Sequence, residues 1–279
     1  MNKIAVIGMV GNSAFLSVPA FHKAGETVAA TAIHFEPGGK GFNQAVAAAR
    51  FGAEVSFLGA VGTECYDEIV AFLKKDGITP VLPRKDEPTA YAAILTDAKG
   101  ANRVTVYQGA RLAEADVERF AACIAQADIL LLNNEVPQTV NSRAIDIAKK
   151  HGTKVILNPA PSVSLSADIL ERVDLFTPNE HELSGLEAHD NVVVTLGDKG
   201  CLLKETGETV PAVKQKKVVD TTGAGDTFNG VLAAGLASGM PMKDAVLTAV
   251  AAAGVSVTRP YAATAIPYAA EVADYLAGM

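Results

Sequence analysis

Runs of consecutive apolar residues recur along this chain where alternating ones would be found in a half-exposed sheet. They are Ile4 to Ile7, Val55 to Leu58, Ile129 to Leu132, Val155 to Leu157, Leu175-Phe176 and Val192 to Val194. A strand apolar on both sides is buried on both faces, which points to a parallel sheet between two layers of helices. Between the runs, apolar residues spaced at three and four predict helices near 41–51, 65–75, 113–126 and 138–150, with Gly152 as the C-cap of the last. Three further helices, near 224–238, 241–257 and 267–277, close the chain. This alternation predicts a doubly wound, mostly parallel α/β fold.

Two stretches break the alternation, Ala14 to Phe35 and Thr89 to Tyr107, the second with a turn over Asp97-Ala98-Lys99-Gly100-Ala101-Asn102. Both read as hairpin-like strands with no helix to cover them; a surface loop is the plainer alternative. Leu183 to Val192 is also short for a crossover, which ordinarily takes about a dozen residues or more. A shortened connection, with the strand kept, is expected there.

With 279 residues, 49% of them hydrophobic, the chain is long enough for one large domain, alone or with a small appendage. A net charge of −7 without a basic stripe argues against nucleic acid as a partner. Cys65, Cys123 and Cys201 are isolated, so neither zinc spacing nor a disulfide framework is present, and a reducing, cytoplasmic setting fits. The five histidines show no ligand spacing; His181 and His189 read as surface residues. Gly8, Gly11, Asn12 and Ser13 interrupt the first apolar run, so a strand ending in a glycine turn describes it better than a signal peptide. No run approaches the roughly 18 apolar residues of a membrane helix.

The most informative segment is Asp220-Thr221-Thr222-Gly223-Ala224-Gly225-Asp226-Thr227-Phe228-Asn229-Gly230. Two glycines admit a close ligand, and the helix that follows begins with unpartnered N–H groups carrying partial positive charge. Such an end suits a phosphate. A carboxylate beside a static phosphate would repel it, so Asp226 needs another purpose, and taking the proton of an attacking hydroxyl is one. The plain alternative is an acidic residue favoured in any first helical turn. A second glycine cluster, Gly38-Gly39-Lys40-Gly41-Phe42-Asn43, also opens a helix, rich in alanine and ended by Gly52. Gly38 and Gly39 offer bare backbone and Asn43 both donates and accepts. Lys40 reads as an ordinary solvated loop lysine.

Together the two segments resemble the two signature motifs of the ribokinase, or phosphofructokinase-B, family of sugar kinases, with Phe42 where alanine is usual. The resemblance runs from Lys3 to about Pro267. It implies a single ribokinase-like α/β domain over 1–279, with a β lid formed by about 12–36 and 89–108. It also implies transfer of the ATP γ-phosphoryl group, with Mg2+, to a hydroxyl of a small sugar, and a homodimer made through the lids. On this resemblance Asp226 is the base and Gly223, Ala224 and Gly225 form the anion hole. Asn12, Ser13, Gly38, Gly39, Lys40, Asn43 and Glu135 hold the acceptor. Asn179, Thr195, Gly197, Gly200 and Gly225 hold the nucleotide. Glu182 influences magnesium through water, and Asp220 belongs to a monovalent cation site for K+. Taken without the resemblance, Asn179 is equally a helix N-cap and Gly197 to Gly200 a plain turn.

Three departures qualify it. Ser13 stands where the sugar-gripping acid is usual, and Gly11 where asparagine is, so D-ribose is expected to bind poorly and Ser13→Asp to improve it. Tyr261 and Ala265 replace glycine and serine in the cation loop. The helical insert before Val192 is short. A nucleoside or polyol acceptor, or a sugar-binding regulator without catalysis, are the competing readings. A nicotinamide oxidoreductase would need G-x-G-x-x-G after the first strand, which Gly8-Met9-Val10-Gly11 does not supply.

Overall fold

Unalternated apolar strands need cover on both sides, and the fold supplies it. In the computed structural model, which describes residues 2–99 and 101–277, the chain runs β1 (Lys3–Ile7), β2 (Gly11–Ser17), β3 (Ala32–Gly38), α1 (Lys40–Arg50), β4 (Glu54–Leu58), α2 (Tyr66–Lys75), β5 (Thr79–Val81), β6 (Ala90–Thr96) and β7 (Asn102–Tyr107). It continues through α3 (Glu114–Glu118), α4 (Ala121–Gln126), β8 (Ile129–Asn133), α5 (Gln138–His151), β9 (Lys154–Asn158), α6 (Ala167–Arg172), β10 (Leu175–Phe176) and β11 (Val193–Thr195). Last come β12 (Cys201–Leu203), β13 (Glu208–Val210), α7 (Ala224–Ala237), α8 (Met242–Ser256) and α9 (Ala269–Ala277).

Six strands form the central parallel sheet in the order β10-β9-β8-β1-β4-β5. The two-residue period of each strand divides its side chains between two cores. Ile4, Val6, Val55, Phe57 and Leu131 pack with α1, α2, α7 and α8 on one face. Ala5, Ile7, Leu58, Leu130 and Leu132 pack with α3 to α6 on the other.

The two stretches outside the alternation form a separate mixed sheet in the order β3-β2-β6-β7. β2 and β6 are parallel, while the other two pairings are antiparallel. Ser13, Phe15, His34 and Glu36 share one face by register, and that face turns toward the body. β7 is exposed along its whole length, and Ile33, Phe35, Tyr91, Val104, Val106 and Tyr107 are exposed apolar residues of this sheet. The turn before β7 is closed by Asp97, whose carboxylate accepts from the amides of Lys99 and Ala101; Gly100 lies outside the described residues.

Three expectations need correction. The predicted helix 113–126 breaks into α3 and α4, because at Arg119 and Phe120 the backbone bonds tighten to i−3 acceptors. The connection 183–192 holds turns and no helix, as its length requires, but the strand after it is not a full member of the central sheet. β11 touches the β10 segment through isolated bridges at Phe176↔Val192 and Asn179↔Thr195 and builds its own antiparallel sheet with β12 and β13. His189 is half-buried, edge-on to Phe176, and is no free surface residue. Among the described residues no helix is long and apolar enough to cross a membrane.

Candidate active site

Close backbone crossings gather the polar residues. A side chain on Gly230 of α7 would overlap the Gln44 carbonyl and lie 2.6 Å from Ala47, so α1 and α7 cross nearly backbone to backbone. A Cβ on Gly8, just past β1, would fall 2.6 Å from the Gly41 Cα, which seats the start of α1 on the end of the central sheet. These crossings exist because α1 carries Ala45, Ala47, Ala48 and Gly41 on its buried side.

At this junction lies Asp226, in the first turn of α7 and only 7% exposed. Its Oδ2 accepts from Asn43 Nδ2 at 3.0 Å and its Oδ1 from Gln44 Nε2 at 3.4 Å. Burial raises the Asp226 pKa, opposed by Lys40 and the two amide donors. The Lys40 ammonium is raised by Asp226 first, then by Glu135 and Glu182, against the effect of its own burial. The solvated-lysine expectation therefore does not hold. Lys40 is half-buried at the first position of α1, within electrostatic reach of Asp226, Glu135 and Glu182.

Glu135 follows β8 and accepts the Lys40 amide at 2.7 Å. Burial and the Asp226 charge push its carboxyl up to about 7, against the pull of Lys40. Asn133 fixes this turn by accepting the Glu135 amide at 3.0 Å. Glu135 opens onto a cavity of about 240 Å³ shared with Gly8, Met9, Asn134, Gln108 and Arg111.

Gly38 closes β3 and Gly39 precedes α1 at φ 111°. Ser13 is buried, and its Oγ would lie 2.9 Å from a Cβ on Gly38. Asn12 turns to the opposite face of β2, with its Oδ1 buried and without a hydrogen-bond partner among the described residues. It therefore does not replace the acid that Ser13 lacks. Ser13 pairs directly with Glu36 across the strands, so Ser13→Asp would place two carboxylates side by side, a destabilising arrangement. An acid at position 13 is therefore not expected to improve D-ribose binding, contrary to the expectation from sequence.

Gly223 caps α7 at φ 76°, a left-handed conformation. A Cβ at Gly225 would meet no atom within 4 Å, so open space faces its backbone. Ala224 is less free than expected, since its amide reaches Thr221 O at 3.3 Å. Asp220 accepts from the Thr222 amide at 2.9 Å, from the Thr222 hydroxyl at 2.6 Å and from the Tyr261 amide at 3.2 Å.

The residues that the resemblance gives to the nucleotide form a second group. Asn179 Oδ1 accepts the amides of His181 and Glu182 at 2.8 and 2.9 Å, and Glu182 accepts the Asn179 amide at 3.0 Å. This reciprocal pair caps a turn without a following helix. Backbone pairing brings Thr195 beside Asn179, with the Thr195 amide on Pro178 O at 2.8 Å. Gly197 begins the tight turn between β11 and β12; Gly200 ends it, packed so closely on Val210 and Pro211 that a side chain would overlap them. Packing alone accounts for that glycine.

Gln44 is a site residue that motif reading passed over. Its amide also donates to Asn158 Oδ1 at 3.3 Å, Asn158 donates to Thr177 O at 2.9 Å, and the Thr177 hydroxyl donates to Asn229 of α7. Gln44 is wholly buried on the alanine-rich face of α1, which only the folded chain reveals.

Residues 1–269 match the profile described as pfkB family carbohydrate kinase. The chain is 36% identical to a ribokinase of Haemophilus influenzae, over 98% of each chain. It is similar in structure to a ribokinase of Thermotoga maritima, at 35% identity and a TM-score of 0.88 over 99% of both chains. A ribokinase of Arabidopsis thaliana, solved with ribose and ATP, is 26% identical with a TM-score of 0.83 over 98% of both chains.

Proposed function

The chain belongs to the pfkB family of carbohydrate kinases and is an ATP-dependent sugar kinase, and from that premise we propose how its residues divide the work. Asp226 takes the proton of the attacking sugar hydroxyl. The observation that carries this is a nine-tenths buried carboxylate at the first turn of α7, held on both oxygens by Asn43 and Gln44. The amides of Gly223 and Gly225, with a lesser part for Ala224, stabilise charge on the transferring phosphoryl group. Lys40, within electrostatic reach of three acids, supplies positive charge to the site. Gly38, Gly39, Asn43 and Glu135 position the acceptor, with Ser13 on the neighbouring strand. Asn179, Thr195 and the turn Gly197 to Gly200 receive the nucleotide.

Among the described residues no group of three or more His, Cys, Asp or Glu side chains is placed to hold a metal. That fits magnesium, which commonly takes one or two carboxylates together with substrate phosphates and water. Glu182, near enough to raise the Lys40 pKa, is the carboxylate on offer, and the ion supplies charge neutralisation of the ATP phosphates. For a monovalent cation, Asp220 already accepts three protein donors, and we infer weak K+ activation.

The exposed apolar residues of the small sheet support a lid that pairs with a second copy; uncovered strand edges otherwise invite aggregation. We propose one α/β domain over residues 1–279, with a lid from about 12–36 and 89–108, acting as a cytoplasmic homodimer. Nucleic acid and membrane have no part in this reading.

The acceptor is a small sugar that binds without an acid at position 13. A charge-assisted hydrogen bond of about 1.5–3 kcal/mol is absent there, so D-ribose affinity is lower by about 10–100-fold. The test is ATP consumption across a panel of sugars and nucleosides. A sugar acceptor with lower KM than D-ribose is expected. A sub-millimolar KM for D-ribose would refute the acceptor assignment, and phosphorylation of nucleosides alone would refute the sugar reading.

A further inference from the structure

Glu36 is a carboxylate that the phosphoryl-transfer chemistry does not use, yet it is 3% exposed on a strand of the small sheet. Its Oε1 accepts the amides of Ala262 and Ala263 at 2.8 and 3.0 Å. Its Oε2 accepts the Thr264 amide at 3.2 Å and the Thr264 hydroxyl at 2.7 Å. Three successive backbone N–H groups closing on one acid form an anion-binding concavity, here filled by the protein's own side chain. The contact is reinforced beside it. His34 stacks on Tyr261 with ring centroids 3.7 Å apart, and Phe15 meets the same ring edge-on at 5.2 Å.

The loop so held leads directly to the anion hole. Ala262 packs against Gly223, where an added Cβ would lie 3.2 Å from the Ala262 side chain. The Tyr261 amide donates to Asp220, which also holds Thr222, the residue before Gly223. In the other direction, Glu36 lies two residues before Gly38 on the strand that delivers the acceptor-binding turn. Arg50 at the far end of α1 holds the loop's exit, donating to the carbonyls of Ala263 and Ile266 at 3.1 and 2.6 Å.

We propose that Glu36 is a positioning residue that joins the acceptor lid to the phosphoryl-binding turn, so that a seated lid and a formed anion hole are one structural state. This rests on the assignment of the Gly223 to Gly225 amides as the anion hole. Glu36 touches neither substrate nor phosphate; it acts through residues 261–264. The carboxylate is well suited because it alone can accept four donors at once.

The test is Glu36→Gln. It keeps the size of the side chain and one carbonyl oxygen, but loses the charge and sets an NH2 group against the Thr264 amide. We expect kcat for sugar phosphorylation to fall about tenfold or more, with KM for ATP within about twofold. Inhibition by ADP with aluminium fluoride, a mimic of the transferring phosphoryl group, should weaken to a similar degree, while ADP alone binds unchanged. Thr264→Val, which removes one donor of the four, should give a smaller loss of the same kind and serves if Glu36→Gln does not fold. A lowered melting temperature with unchanged kcat and unchanged aluminium fluoride inhibition, in whichever variant folds, would mean that Glu36 only staples the loop, and the proposal fails. Asp226→Asn tests the underlying assignment separately. If it loses rate and the Glu36 variant does not, only the coupling is wrong; if neither loses rate, the site itself is misassigned.

Discussion

Replacing Asp226 by asparagine removes a proton acceptor and almost nothing else, which makes it the sharpest probe of the chemistry. In the folded protein the carboxylate is held by Asn43 Nδ2 at 3.0 Å and Gln44 Nε2 at 3.4 Å. An amide at 226 would turn an N–H toward one of these donors. Asn43 Oδ1 is buried without a partner among the described residues, so a half-turn of the Asn43 amide restores a donor–acceptor pair while Gln44 keeps its bond to Asn158. The variant also removes a buried charge, so its melting temperature should change little. The kinetic loss can then be read as chemistry. General-base catalysis is worth about 10²–10⁴ in rate, or about 2.7–5.4 kcal/mol at about 1.36 kcal/mol per factor of ten. The assay is steady-state turnover with a saturating sugar acceptor, beside a nucleotide-binding measurement. We expect kcat to fall within that range and ATP affinity to hold. The pH profile provides a second check. Burial raises the Asp226 pKa, so the acid limb of wild-type kcat should lie above the ordinary carboxylate range, with rate lost as pH falls and the base takes up its proton. The variant should lack that limb. Retention of more than about half of wild-type kcat would falsify the assignment of Asp226 as base.

The two helix glycines give opposed expectations. Gly225→Ala adds a methyl into open space, so the melting temperature should hold or rise while kcat falls because the methyl crowds the phosphoryl group; unchanged turnover would remove Gly225 from the anion hole. Gly230→Val drives α1 off α7, and overpacking of about 1–3 kcal/mol should lower the melting temperature by several degrees and displace Asn43 and Gln44 with loss of kcat. Glu135, with its pKa pushed up to about 7, becomes the stronger acceptor as pH rises through neutrality. KM for the sugar should therefore fall across that interval, and Glu135→Gln should abolish the dependence. Potassium in place of a large organic cation at equal ionic strength should raise turnover by less than about tenfold; a larger rise would show that backbone carbonyls build a cation site despite Tyr261 and Ala265.

Much of this molecule was legible in its sequence because local signals and global fold agreed. Continuous apolar runs meant a covered parallel sheet, and β1, β4, β8, β9 and β10 lie in it. Glycine pairs before alanine-rich or apolar helices marked two segments that meet in the fold, where Asn43 hydrogen-bonds Asp226 and Asp226 acts electrostatically on Glu135. Such features depend on residues close together in the chain, where periodicity and backbone sterics decide the outcome. What the chain order conceals is which distant groups meet. Gln44 reaches Asp226 across 182 positions, and Glu36 reaches Ala262 across 226. Neither residue has a local signature, since a buried polar side chain is tolerated only by the partner that satisfies it, and the partner is chosen by packing. The break between α3 and α4 and the detachment of β11 from the central sheet are of the same kind. Lys40 shows the rule most plainly: its sequence neighbours read as a solvated loop, and the three acids that raise its pKa come from elsewhere in the chain. Long-range electrostatics and hydrogen-bond satisfaction exist only once the helices have crossed, and in this protein small residues let them cross closely enough.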